Sequence, residues 1–216
     1  MFKLILFDLD GTLTDPKEGI TNCVKYALES FGITEKDENK LLKFIGPPLY
    51  DSFRGLYGFS ENDAKLAVSK YRERFQNVGI FENRIFPDAE NTLARLKQAG
   101  KQVALATSKP YVYAKRILEH FKISDYFDYT VGAELDGRRG YKDEVIHEVL
   151  RLAKQDDLSK VIMIGDRKND ILGAKKCGIA SIGLRCGYAE KNELEDAGAD
   201  FIFNNLKESC DFILNI

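Results

Sequence analysis

The chain has 216 residues, with 32 Lys and Arg against 34 Asp and Glu, a formal net charge of −2, and 44% hydrophobic residues. This balance argues against a nucleic acid polymer as partner, which would call for a basic excess, but a few placed cations suffice for a phosphorylated small molecule. Apolar residues spread along the whole chain exclude disorder, and the length fits one large domain or two small ones.

Residues 2–7 form an apolar run that stops on Asp8 and Asp10. Such a run predicts a strand buried on both faces, as in a parallel sheet. It is too short for a signal peptide, and no stretch approaches the roughly 20 apolar residues of a membrane span, so a cytoplasmic protein away from membranes is expected. Strand signals then vanish over residues 15–80. Asp15-Pro16 reads as an N-cap and first-turn pair, followed by the apolar stripe Ile20, Val24, Ala27, Leu28 and Phe31 and a stop at Gly32. Gly46-Pro47-Pro48 breaks the helical pattern, and Ser60 with Asp63 caps the next helix.

After residue 86 the pattern alternates. Strands are expected at 102–106, 161–164 and 180–184, with weaker ones at 127–131 and 201–203. Helices are expected near 88–99, 110–121, 142–154, 168–177, 190–197 and 206–213. Strand–helix alternation predicts an α/β fold, a Rossmann-like parallel sheet flanked by helices and interrupted after its first strand by an all-α insert. The expected division is 1–14 and 86–216 for the α/β core and 15–85 for the insert. The four cysteines form no CxxC pair and only His120 and His147 are present, which argues against a zinc site.

Ligands of an open parallel sheet bind at the carboxyl ends of its strands. There the sequence places Asp8-Leu9-Asp10-Gly11-Thr12, then Thr107-Ser108-Lys109, then Gly165-Asp166-Arg167-Lys168-Asn169-Asp170. Lys142 opens a predicted helix, where a cation opposes the macrodipole and so suggests a functional reason. Arg138 and Arg139 are alternatives to it in the preceding loop. Thr107 and Ser108, taken alone, read as a helix cap. Converging carboxylates call for a hard cation such as Mg²⁺, which prefers oxygen ligands and often sits beside phosphate. One carboxylate can attack phosphorus while another moves the proton.

In this order the motifs resemble the haloacid dehalogenase-like hydrolase superfamily, over essentially the whole chain. The nearest likeness is to its phosphoglycolate phosphatase-like group, which carries a helical cap. The resemblance implies that Asp8 is nucleophile and Mg²⁺ ligand. Asp10 is implied as general acid/base, with its carbonyl facing the metal. Thr107 and the Ser108 amide bind the phosphoryl group, Lys142 steadies nucleophile and phosphate, and Asp166 and Asp170 complete the metal shell. The group often has Asn in place of Ser108 and Lys-Pro in place of Lys142-Asp143. Lys43, in the cap, is the expected substrate contact from the insert, with Arg54 as a weaker candidate.

The expected function is therefore a Mg²⁺-dependent phosphatase acting on a small phosphorylated metabolite through an aspartyl-phosphate, as a monomer or homodimer. Alternatives of the same superfamily are a 5'-nucleotidase, a pyrophosphatase and a phosphosugar mutase. A remote one is a non-catalytic signalling module phosphorylated on aspartate.

Overall fold

The computed structural model describes residues 1–216. It divides into two compact units, Met1–Asp15 with Ile85–Ile216, and Pro16–Arg84. The short extended segments β2 (Thr14–Asp15) and β3 (Arg84–Ile85) mark the two chain crossings.

The first unit is built on a six-stranded sheet: β1 (Leu4–Phe7), β4 (Gln102–Pro110), β5 (Tyr129–Ala133), β6 (Val161–Gly165), β7 (Ala180–Leu184) and β8 (Phe201–Phe203). The order is β5-β4-β1-β6-β7-β8, and every pairing is parallel. Central β1 runs Leu-Ile-Leu-Phe with all four residues fully buried, which is why its apolar run does not alternate. The helices α5 (Ala89–Gln98), α6 (Tyr111–His120), α7 (Lys142–Ala153), α8 (Lys168–Lys176), α9 (Glu193–Ala197) and α10 (Leu206–Asn215) connect and cover the strands. One core layer joins Leu4 and Leu6 of β1, Ala104 and Ala106 of β4 and Met163 of β6 to Val145, Ile146 and Val149 of α7 and Ala174 of α8. The chain proceeds from β1 to β4 and β5 on one side, and through β6, β7 and β8 on the other. The carboxyl ends of β1, β4 and β6 therefore meet at a topological switch point, the usual ligand crevice of such sheets.

The second unit is helical: α1 (Lys17–Glu29), α2 (Glu38–Leu42), α3 (Leu49–Tyr57) and α4 (Glu61–Arg74), the last running on into a widened turn over Phe75–Gly79. Its core contains the aromatic contacts Phe31–Phe59, Phe44–Phe53 and Phe53–Phe59, with ring centroids 4.7, 4.9 and 5.9 Å apart. Arg74 grips Glu82 with two hydrogen bonds of 2.6 and 2.7 Å. Ser60 caps α4 as its spacing predicts, accepting from the Asp63 amide at 3.2 Å.

Two expectations are corrected here. Asp15 does not cap α1: Pro16 occupies the N-cap with no side-chain bond, and the Asp15 carboxylate accepts instead from the Tyr188 hydroxyl. The Pro pair does not only break structure, because Pro48 starts α3, a helix the sequence reading leaves unassigned. Proline suits a helix start since it lacks an N–H that would go unpaired there anyway.

Candidate active site

Asp8 follows β1 directly, and its amide continues the ladder by donating to the Ile164 carbonyl at 2.9 Å. The chain then turns tightly, with Leu13 N donating to Leu9 O at 2.9 Å and Gly11 N to Thr14 O at 2.8 Å. Gly11 has φ +83°, and a Cβ there would lie 2.2 Å from Asp166 Oδ2, so both backbone and space require glycine. Asp166, fully buried after β6, receives Thr12 Oγ1 at 3.1 Å on one oxygen and the Tyr188 amide at 2.7 Å on the other. Asp170 lies in the first turn of α8 and accepts from the Arg167 amide at 3.1 Å. The three buried carboxylates of Asp8, Asp166 and Asp170 bring oxygens within 4.8 Å of one another.

Lys142 is buried at the start of α7. Its Nζ stands 2.8 Å from Asp8 Oδ1, 2.8 Å from Asp170 Oδ1 and 3.0 Å from the Ala106 carbonyl. Arg138 and Arg139 are engaged elsewhere. Arg138 pairs with Asp136 at 2.8 Å, and Arg139 binds Glu134 and the Gly132 carbonyl. Thr107 is buried and Ser108 half-buried where β4 loses its regular register between Ala106 and Pro110. Neither caps α6, whose N-cap is Pro110. The Thr107 hydroxyl instead accepts from the Lys109 amide at 3.2 Å. The Asp10 carboxylate turns to Lys109, with Oδ2 2.5 Å from Nζ, rather than joining the three-carboxylate group. Lys43 and Arg54 belong to the helical unit. Lys43 ends α2 as an exposed C-cap residue, and Arg54 stands 5.7 Å over the Tyr50 ring.

Burial dominates the electrostatics. It drives the Asp166 carboxyl well above the usual carboxylate range, and the charges of Asp170 and Asp8 push the same way. Burial also raises Asp170, against the pull of Lys142, and raises Asp10, against the pull of Lys109. For Lys142 burial works against the charge, but the carboxylates of Asp170 and Asp8 outweigh it and hold the pKa above that of ordinary lysine.

These groups fit a divalent metal ion. With all ionised, Asp8, Asp166 and Asp170 carry three negative charges and Lys142 one positive, leaving two to be neutralised. Asp8 Oδ1 and Asp170 Oδ1 are buried and receive no directed hydrogen bond, only the nearby ammonium. An all-oxygen ligand set suits a hard cation.

Lys109, Thr12, Gly187 and Tyr188 enter the site without a role assigned from sequence. Lys109 was legible as a cation at the right edge, but the irregular end of β4 decides where it points. Gly187 and Tyr188 follow β7, another strand whose carboxyl end lies at this edge. A Cβ on Gly187 would lie 2.3 Å from Asp166 Oδ2 and 2.4 Å from the Gly11 carbonyl. Gly187→Ala is therefore expected to cost about 1–3 kcal/mol by overpacking, read as a lower urea midpoint; an unchanged midpoint would show that this loop yields.

The haloacid dehalogenase-like hydrolase family matches residues 5–184. A 5'-nucleotidase of Pseudomonas aeruginosa is 47% identical over 193 residues, covering 88% of this chain and 86% of that one. Tyrosine-protein kinase PtkA of Mycobacterium tuberculosis is 35% identical over 93% of this chain and 65% of its own length. A phosphoglycolate phosphatase of Vibrio parahaemolyticus is 29% identical over 98% of this chain and 96% of that one. Among solved structures, a predicted phosphatase from Clostridium acetobutylicum is 44% identical over all of both chains, with a TM-score of 0.96. The family match spans most of the chain and takes in each of the three strand ends described above: the chain belongs to the haloacid dehalogenase-like hydrolases and is one of that family's phosphatases.

Proposed function

We propose that the chain hydrolyses a small phosphate monoester with Mg²⁺, through an aspartyl-phosphate on Asp8. The observation that carries this is the bridge made by Lys142 between Asp8 and Asp170, inside the group completed by Asp166. It fixes the Asp8 carboxylate against a buried ammonium, as a well-aimed nucleophile requires. Asp8, Asp166 and Asp170, with the Asp10 carbonyl, would hold the Mg²⁺, whose charge offsets that of the phosphoryl oxygens.

In the first step an Asp8 oxygen bonds to phosphorus, the bond to the leaving oxygen breaks, and Asp10 gives that oxygen its proton. In the second a water oxygen bonds to phosphorus, its proton passes to Asp10, and the Asp8–phosphorus bond breaks. Thr107, the Ser108 amide and Lys142 hold the phosphoryl oxygens throughout, with donors placed before charge develops. The helical unit is the insert expected as a cap, and Lys43 and Arg54 are its candidate substrate-binding cations.

The sequence reading ranks small acid phosphates first. The 47% identity to a 5'-nucleotidase, against 29% to a phosphoglycolate phosphatase, favours nucleoside 5'-monophosphates instead. A phosphate-release screen over nucleoside monophosphates, phosphoglycolate, hexose phosphates and pyrophosphate tests this. A mutase would isomerise a hexose phosphate without releasing phosphate. EDTA is expected to stop turnover and Mg²⁺ to restore it; indifference to chelator would overturn the metal assignment. The metal-loaded protein is expected to gain about 2.7 kcal/mol at a metal concentration 100 times Kd.

A further inference from the structure

Asp10 has its two oxygens in different situations. Oδ2 is 2.5 Å from Lys109 Nζ, and both side chains are almost fully buried. Oδ1 is buried and has no hydrogen-bond partner. The other buried ammonium at this edge, Lys142, serves Asp8 and Asp170. The two lysines thus serve different carboxylates, Lys109 pairing with Asp10 and Lys142 with Asp8 and Asp170.

The mount of Lys109 is stiff. Its amide donates to the Thr107 hydroxyl at 3.2 Å, within the stretch where β4 leaves its regular register. On the neighbouring strand a Cβ at Gly132 would lie 2.6 Å from the Lys109 carbonyl, so β5 presses directly on this backbone. Asp10 itself stands next to Gly11, whose left-handed backbone begins the tight turn. A buried ion pair is weak evidence for stability, because taking both charges out of water cancels most of the attraction. Its effect here is geometric: one oxygen is clamped and the other is left unpartnered.

We propose that Lys109 is a positioning residue for the reaction, clamping Asp10 Oδ2 so that Oδ1 is presented to the leaving-group oxygen. This rests on the general-acid reading of Asp10 given above. The leaving group then decides who notices its loss. A p-nitrophenolate departs readily without a proton, whereas an unsubstituted phenolate needs one sooner, and a positioned general acid contributes roughly 10²-fold or more.

The test is kcat/KM in saturating Mg²⁺ for p-nitrophenyl phosphate and phenyl phosphate, which follows the reaction through transfer to Asp8. Lys109→Met is expected to lose roughly 10²-fold on phenyl phosphate and less than about 10-fold on the nitro ester. Lys109→Gln keeps a donor and is expected to lose less, with the same preference; it carries the comparison if the Met variant does not fold. Asp10→Asn should show the same preference, and Lys109→Met added to it should change little, since residues acting as a unit are not additive. Equal losses on both esters, or losses that multiply in the double variant, would overturn the positioning role. If Asp10→Asn is selective and the Lys109 variants are not, only this inference falls. If Asp10→Asn spares phenyl phosphate, the general-acid assignment falls and takes the role of Lys109 with it.

Discussion

Asp8→Asn is expected to lower phosphate release from any monoester by on the order of 10⁴-fold or more, because the proposed mechanism needs an anionic oxygen at Asp8 and an amide oxygen is a far weaker nucleophile. The change is nearly isosteric, so the fold has no reason to fail. Metal-free protein should even gain stability. Asp8 lies within a group of three carboxylates held by one ammonium, and its own oxygen Oδ1 has no directed hydrogen bond. A neutral amide there removes a carboxylate that pushes the Asp166 and Asp170 carboxyls up, which outweighs the lost contact to Lys142 because Asp170 still holds that ammonium. A thermal melt in EDTA, alongside a phosphate assay in Mg²⁺, reads both effects. Residual activity within about 10-fold of wild type would mean that another group attacks phosphorus.

Lys142→Met should have the second largest effect, and on two properties at once. The Nζ contacts Asp8, Asp170 and the Ala106 carbonyl from a side chain only 3% exposed. Removing one partner of a buried ionic group strands the others and costs about 3–5 kcal/mol. Phosphate release is expected to fall on the order of 10²–10³-fold as the phosphoryl charge loses its counter-ion. The sign of the pH dependence follows from burial. Asp170 has a folded pKa raised above its unfolded value, and loss of Lys142 raises it further. A raised carboxyl is stabilising while protonated and costly once ionised, so the stability deficit should grow as pH rises from acid toward neutrality and shrink as it falls. Urea unfolding of both proteins at several pH values in EDTA checks this. A deficit independent of pH would show that packing of the stem, pressed against Gly173, is what the variant lost.

The parallel sheet was legible because burial on both faces leaves an unmistakable mark. Leu4–Phe7 and Val161–Ile164 are continuous apolar runs ending on acids, and both are strands. Short helices left a weaker mark. α2 has five residues and α3 nine, too few for the 3.6-residue period to stand out beside a Pro pair. At the site, the carboxylates could be listed by strand end, but partnerships could not be read from order alone. Lys142, Arg138 and Arg139 are within four positions of one another, and only the start of α7 aims one of them inward. The Tyr188 contact to Asp166 is made by a backbone amide, which any residue would supply, so its side chain gave no hint. Lys109 was visible as a residue but not as a partner of Asp10, because a register shift in β4 governs its direction.

The central place of β1 has a consequence for how the chain is made. Leu4–Phe7 pair with Gln102–Leu105 on one side and Val161–Ile164 on the other. β1 is therefore enclosed late, since one of its neighbours is synthesised some 150 residues after it. Contacts so distant in sequence slow folding and leave apolar edges open while synthesis proceeds. The helical unit is one continuous stretch, Pro16–Arg84, and needs nothing downstream to complete its own aromatic core. Nascent chains halted before residue 161 should thus carry β1 with an apolar edge open and bind holdase chaperones, whereas chains extending past β6 should release them.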